Sequence, residues 1–111
     1  MTHNMQLNHE PFVSIRAGKK TIEMRLFDEK RQRINIGDSI EFTDRTNGDS
    51  MTVRVIALYR FATFDDLYAH FDKEKLGYDE TEIARPGDMS KYYSREEIAR
   101  YGVLGIEISR E

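Results

Sequence analysis

Apolar and polar residues alternate along four stretches of this chain, with the two-residue period of β-strands. The stretches cover residues 20–26, 39–43, 51–61 and 103–108. Asn47-Gly48 lies between the second and third stretches and is typical of a tight hairpin turn. The third stretch is the longest, so we expect that strand to bend or to be buried on both faces.

Helical signals fall between these stretches. Glu10-Pro11-Phe12 predicts a helix that ends at Gly18, because proline suits the first turn and glycine suits the position after the last. Thr63 is the predicted N-cap of a second helix. Ser94-Arg95-Glu96-Glu97 matches a capping box for a third, short helix that Gly102 stops.

The remaining long segment, residues 72–88, is polar and contains Gly77, Pro86 and Gly87. It predicts a surface excursion with little regular structure. Short strands, a hairpin and short helices in this order favour an α+β fold, a small mixed β-barrel with flanking short helices. We expect a single domain over residues 1–111, with residues 1–5 as a frayed N-terminus.

Composition excludes several classes of protein. The 111 residues contain no cysteine, which excludes a disulfide framework, a cysteine-based zinc site and a thiol nucleophile. The N-terminal residues lack the basic and apolar regions of a signal peptide, and no apolar run approaches the about 20 residues of a membrane helix. We therefore expect a cytoplasmic protein that does not associate with membranes. The three histidines show no metal-ligand spacing, so we expect neither a metal nor another cofactor.

Charge is unevenly distributed along the chain. The formal net charge is −3, yet residues 16–33 contain seven bases and only three acids. A basic segment on an acidic body can bind an anion locally, although such segments are more often solvated loops.

Three charged residues of this segment form a candidate site. Glu23 and Arg25 are two positions apart on a predicted strand, so their side chains share a face about 7 Å apart. Lys20 stands at the entry of the same strand. Lysine supplies a point charge for phosphate, arginine a planar fork, and glutamate an acceptor for a base amino group. The alternative is a surface ion pair worth about 0–1 kcal/mol, and spacing alone favours that alternative.

Gly18-x-Lys20-x-x-Glu23-x-Arg25 resembles the signature of ASCH domains, a PUA-like family. The likeness extends over residues 6–108 and includes Pro11-Phe12, Ile36-Gly37-Asp38, Ile40-Glu41-Phe42, Tyr101-Gly102-Val103 and Gly105-Ile106-Glu107-Ile108. It is that of a small stand-alone, bacterial-type member. The resemblance implies a PUA-like β-barrel whose cleft, lined by Lys20, Glu23 and Arg25, binds RNA, a nucleotide or a modified nucleoside.

The resemblance leaves the activity open. One reading is a module that binds RNA or a nucleotide. Another is a small hydrolase using the same cleft, either a ribonuclease or an amidohydrolase acting on a modified nucleoside such as N4-acetylcytidine. In that case Lys20 would stabilise developing negative charge and Glu23 would act as general acid or base. The deacylating branch has threonine where this chain has Glu23, so the proposed hydroxyl nucleophile is missing here. A third reading, an interaction module, follows if the Glu23–Arg25 pair only closes the barrel.

Four further residues are candidate RNA contacts. Lys19 and Arg33 belong to the basic segment, and Tyr92 and Tyr93 offer rings on which bases can stack. Two adjacent tyrosines just before a helix N-cap cannot both point inward, so at least one of them is expected to be accessible. The sequence does not indicate an oligomeric state.

Overall fold

A curled five-stranded sheet carries the fold. The computed structural model describes residues 1–110. Its elements in chain order are β1 (Thr2–Leu7), α1 (His9–Arg16), β2 (Ile22–Leu26), β3 (Ser39–Asp44), β4 (Ser50–Phe61), α2 (Phe64–His70), α3 (Arg95–Tyr101) and β5 (Val103–Arg110). Short 3-10 helices cover Arg31–Arg33 and Pro86–Lys91. The predicted α+β class, with a barrel-like mixed sheet and flanking short helices, is confirmed.

The strands are ordered β1-β3-β4-β5-β2 across the sheet. β3 and β4 form the predicted hairpin around Asn47-Gly48, and β5 lies between β4 and β2, antiparallel to both. β1 pairs in parallel with β3, from Thr2 opposite Ser39 to Leu7 opposite Asp44. β1 and β2 are therefore the two edges of the sheet, and the curl brings them near each other. We call the gap between them the seam.

The long strand β4 belongs to two parts of the sheet. Its first residues pair with β3, while the stretch from Val53 to Phe61 pairs with β5. The β5 register shifts between Val55 and Ala57, which places a bulge at Ile56. A bulge bends a strand and increases its twist. The length of this stretch predicted such a bend.

Two apolar clusters lie on opposite faces of the sheet. The barrel core contains Met5, Leu7, Phe12, Ile15, Ile34, Ile40, Phe42, Val53, Val55, Leu104, Ile106 and Ile108. The outer core contains Ile22, Met24, Leu26, Phe64, Leu67, Leu76, Met89 and Val103. Helix α1 closes the barrel core with Phe12 and Ile15, whereas α2 and the excursion cover the outer face.

The prediction of a frayed N-terminus over residues 1–5 is wrong. Met5 and Leu7 are buried in the barrel core, and their burial together with the ladder to β3 offsets the entropy lost on ordering the strand. His3 Nε2 lies 2.8 Å from Asp38 Oδ2, close to the start of β1. His9 Nδ1, just after β1, lies 2.7 Å from Asp44 Oδ2. Each contact ties one end of β1 to one end of β3.

The helix boundaries follow the predicted caps. The Thr63 side chain accepts a hydrogen bond from the backbone N–H of Asp66, and Ser94 and Glu97 complete the capping box. Gly102 ends α3 with a φ of 72°, in the region that favours glycine. Within residues 1–110, no helix has the length and apolar character that crossing a membrane requires.

The excursion after α2 has little regular structure, as predicted, but it is attached to the sheet. The backbone N–H groups of Thr21 and Ile22 both donate to the carbonyl of Lys75, each at 3.0 Å. Leu76 is buried in the outer core. The excursion therefore forms a cover over the chain segment that enters β2.

Candidate functional site

Both faces of β2 are covered. The register places Glu23 opposite Ile106 and Arg25 opposite Leu104, and paired residues on neighbouring strands point to the same face. Ile106 and Leu104 belong to the barrel core, so the charged face of β2 points into the barrel. The apolar face, which begins with Ile22, packs in the outer core.

Lys20 lies just before β2, under the excursion. Its side chain is 7% exposed, and Nζ donates to the carbonyl of Leu76 at 3.3 Å and lies 3.3 Å from Glu23 Oε1. Strand alternation would place Lys20 and Glu23 on opposite faces. Lys20 lies before the first residue of β2, however, so its side chain can reach Glu23. Gly77 packs on its stem, where an added Cβ would lie 3.2 Å from Lys20 Cδ.

Arg25 bridges the seam. Its Nε and Nη2 donate to Glu23 Oε2 at 3.0 Å and 2.9 Å. Nη2 also donates to the backbone carbonyl of Gln6, on β1, at 2.9 Å. A side chain therefore joins the two edge strands. No hydrogen bond engages Arg25 Nη1 within residues 1–110, so two of its N–H donors are free.

Glu23 is held as a carboxylate. Burial by itself would raise the pKa of Glu23, but the positive charges and hydrogen bonds of Lys20 and Arg25 outweigh it and lower that pKa. The backbone N–H of Met24 also donates to Oε1, at 3.2 Å. One negative charge is therefore buried between two positive charges, which leaves this ion cluster with an excess of one positive charge.

Tyr93 lies beside the ion cluster. Its ring stacks on Phe64 with 5.9 Å between centroids and 12° between planes. Burial raises the pKa of Tyr93, while the positive charge of nearby Arg25 works in the opposite direction. The hydroxyl is therefore protonated at neutral pH, and nothing in the described part of the chain hydrogen-bonds to it.

Arg31 also lies near Tyr93. Its Nη1 donates to Asp28 Oδ2 at 2.9 Å, and the charges of both residues act on the Tyr93 hydroxyl. Arg31 Nε is buried and has no hydrogen-bond partner among the described residues, an uncommon state for a buried donor. We call Glu23, Arg25, Asp28, Arg31 and Tyr93 the seam site.

A cavity of about 550 Å³ lies on the other side of Lys20, which is part of its lining together with Tyr59, His70, Phe71 and Glu107. Tyr59 donates to Glu107 Oε1 there at 2.8 Å. The unpaired donors lie at the seam and the open volume lies beyond Lys20, so we base the candidate site on the donors. No group of histidine and acidic residues suited to a metal ion occurs in residues 1–110.

The family follows from comparison with known proteins. A family model described as the ASCH domain matches residues 5–110. The chain belongs to the ASCH domain family. The resemblance seen in the sequence is thus confirmed. No curated protein matches the chain.

Solved structures share this ASCH fold. A crystal structure of the hypothetical protein PH0355 is similar over 100% of both chains, with 30% identity and a TM-score of 0.85. The solution structure of PF0455 from Pyrococcus furiosus covers 99% of this chain and 97% of its own, with 32% identity and a TM-score of 0.71. ASCH from Zymomonas mobilis matches 97% of this chain and 66% of its own at 16% identity and a TM-score of 0.67, a likeness of fold.

The structure brings the predicted motif residues of the ASCH domain together. Lys20, Glu23 and Arg25 form one ion cluster, and Tyr93 lies beside it. Tyr92 is more exposed, at 53%, and its ring lies between Lys91 and Tyr93, 6.4 Å from the centroid of the Tyr93 ring.

Lys19 and Arg33 are not brought to this cluster. Both are exposed, and no side-chain hydrogen bond or ion pair joins either residue to the seam site within residues 1–110. Their role as RNA contacts stays a prediction.

Sequence reasoning missed Arg31 and Asp28 as site residues of this ASCH domain. Arg33 was favoured instead, because position within a basic segment does not show which side chain turns back towards the strand. The available signal was the three-residue spacing of Asp28 and Arg31. That spacing lets an aspartate cap a turn and also pair with its arginine, and both contacts are present.

Proposed function

We propose that this ASCH domain protein binds RNA, or a nucleotide of RNA, at the seam site. The observation that carries the proposal is the group of donors at the seam that no hydrogen bond engages within residues 1–110, namely Arg25 Nη1, Arg31 Nε and the Tyr93 hydroxyl. Arg25 and Arg31 are both close enough to Tyr93 for their charges to act on its pKa. Donors of this kind suit phosphate oxygens and the acceptor atoms of bases.

Charge supports an anionic ligand. Lys20, Arg25 and Arg31 oppose only Glu23 and Asp28 around the site, in a chain whose net charge is −3. Glu23 holds the Arg25 guanidinium in one orientation, which reduces the entropy lost when its remaining donors bind a phosphate. A local positive excess on an acidic protein favours one bound segment of RNA over broad electrostatic coating.

The unpaired donors also argue against an inert ion cluster. If Glu23 and Arg25 only closed the barrel, neighbouring buried donors would be expected to have partners as well. Arg31 Nε has none in the described residues, although Arg31 Nη1 is bound to Asp28. Because this atom is buried, a ligand acceptor would satisfy it after a shift of the Arg31 side chain.

The hydrogen bonding and the pKa of Glu23 favour a binding protein over a hydrolase. Its four acceptor positions receive Lys20 Nζ, the Met24 N–H, and Arg25 Nε and Nη2. A general acid needs a proton, and a general base needs a free lone pair and a pKa near the working pH. The lowered pKa of Glu23 and its occupied lone pairs fit neither role.

Two neighbouring tyrosines provide the test. Tyr93→Phe removes the hydroxyl and keeps the ring that stacks on Phe64, while Tyr92→Phe makes the same change on an exposed side chain. Binding of a short labelled single-stranded RNA is measured by fluorescence anisotropy. We expect Tyr93→Phe to weaken binding about two- to tenfold and Tyr92→Phe to leave it unchanged. Equal effects of both changes would count against the seam site.

The same mixtures separate binding from hydrolysis. After incubation without metal, the RNA is run on a denaturing gel, and N4-acetylcytidine incubated in parallel is analysed for free cytidine. Intact RNA and intact nucleoside are expected. Cleavage by the wild-type protein would favour the hydrolase reading, and the absence of any RNA binding would overturn the proposal.

A further inference from the structure

A second basic surface adjoins the seam site at one end of the barrel. The Arg60 guanidinium lies over the Phe27 ring, 4.0 Å from its centroid, and Arg100 lies 5.1 Å from the centroid of Tyr101. Both arginines line an open groove of about 440 Å³ together with these rings. We call it the Arg60–Arg100 groove.

Strand registers place this groove next to the seam site. Arg25 on β2 and Arg60 on β4 both pair with Leu104 of β5, one on each side. Since adjacent strands lie about 4.8 Å apart, the backbones of Arg25 and Arg60 are about 10 Å apart on the same face of the sheet. Phe27 follows Arg25 by two positions and packs against the barrel core. Phe27 is therefore close to Arg25 in the chain and in contact with Arg60 through its ring.

The groove arginines are not neutralised. No acidic side chain in residues 1–110 forms an ion pair with Arg60 or Arg100. The acid seen at the margin is Glu29, which accepts a hydrogen bond from the Tyr101 hydroxyl at 3.3 Å. A guanidinium stacked on a ring is held in place while its in-plane N–H groups stay available, and their fork matches a phosphate.

We propose that the Arg60–Arg100 groove binds the phosphodiester backbone of the RNA that occupies the seam site, one or more nucleotides along the chain. This inference rests on the proposed function and assigns it a second contact. The two surfaces together form one track on which a single strand contacts Arg25 and Arg31 first and Arg60 and Arg100 next. A mononucleotide has one phosphate and would fill the seam site alone.

The test compares two double variants that remove the same charge. Arg60→Ala/Arg100→Ala alters the groove. Arg54→Ala/Arg85→Ala alters two other exposed arginines, of which Arg54 lies near the start of β4, six positions before Arg60, where it donates to the carbonyl of Gly37. Affinity for a short single-stranded RNA is measured over a series of salt concentrations, with uridine monophosphate as the one-phosphate ligand. Melting temperatures show that each variant is folded.

We expect the groove variant to bind the RNA about tenfold or more weakly than the control variant. The slope of log affinity against log salt concentration should be smaller by about 1.4, because two phosphate contacts are lost. Uridine monophosphate should bind both variants alike. If the groove variant is unstable, Arg60→Lys replaces it: this change keeps the charge, removes the fork, and is expected to weaken RNA binding with the monophosphate unaffected.

Failure of this inference can be told from failure of the proposed function. Equal loss in the two double variants would mean that bulk charge alone is involved and would overturn the groove. Loss of uridine monophosphate binding in the groove variant would also overturn it, because the two contacts would then be one site. A wild-type protein that binds no RNA would overturn both proposals.

Discussion

The two sides of the barrel interior are stabilised in different ways. Around the middle of β3 and the first part of β4, the interior is apolar, and Ile40, Phe42, Val53 and Val55 are fully buried. The buried carboxylate of β3, Asp44, stands at the end of the strand and is hydrogen-bonded to His9. At the seam, the interior face of β2 carries Glu23 and Arg25, which are joined to Lys20 and to the backbone of β1. The first side needs only complementary packing. The second needs every charge to have a partner.

This difference indicates what the charges are for. Replacing a buried ion cluster by packed apolar residues is often neutral or stabilising, so such a cluster is weak support for a stabilising role. The apolar side shows that another part of the same interior is packed without buried charges. We infer that the seam keeps its charges because they bind a ligand, and that their cost in stability is measurable.

The largest expected effect comes from removing the central charge. Glu23→Gln leaves Lys20 and Arg25 buried without a counter-charge, so the free energy of unfolding should fall by about 3–5 kcal/mol. Unfolding in urea measures it. Glu41→Gln, on an exposed position of β3, should change it by less than about 0.5 kcal/mol. A Glu23→Gln protein as stable as the Glu41→Gln control would contradict the claim that the seam depends on paired charges.

The next largest loss of stability is expected from a change in the excursion that covers Lys20. Gly77 and Gly48 have positive φ values of 104° and 81°, but only at Gly77 would an added Cβ contact Lys20. Gly77→Ala should therefore destabilise the protein by about 1 kcal/mol more than Gly48→Ala, because of the crowding. Thermal unfolding of the two variants checks this. Equal losses would mean that the excursion does not fix the position of Lys20.

The smallest effect concerns the charges outside the barrel. Hydrogen bonds from His3 and from the Asn35 backbone lower the pKa of Asp38 to about 2. A lowered pKa stabilises the fold above the ordinary aspartate value, and this contribution is lost as the pH falls through about 2. The stability difference between wild type and Asp38→Asn should then shrink as the pH falls from about 4 towards 2. A difference that grows on acidification would contradict the assignment.

Local signals explain what the sequence alone could predict. The Asn47-Gly48 turn, the Thr63 cap and the Ser94–Glu97 capping box depend on neighbouring residues, and all three are present. β1 was missed because its stability comes from parallel pairing with β3, more than 30 residues away along the chain. A short polar stretch shows no sign of such a partner.

The candidate site was predictable to the same extent. Lys20, Glu23 and Arg25 could be chosen by their motif, but the burial of Lys20 depends on the excursion and on Gly77, which no strand pattern includes. Arg31 entered the site through a turn after β2. The sequence could therefore identify the ion cluster and Tyr93, but not Arg31 with its unpaired Nε.

The most direct test of RNA binding at the seam is a titration with short single-stranded RNA, followed in ¹H–¹⁵N spectra through the arginine Nε–H signals. Arg25 and Arg31 carry the donors that we assign to the ligand, whereas Arg54 lies near the start of β4 and donates to the carbonyl of Gly37. We expect the Arg25 and Arg31 signals to shift with one saturating curve while the Arg54 signal stays fixed. Binding of RNA that leaves the Arg25 and Arg31 signals unmoved would contradict the assignment of the seam as its site.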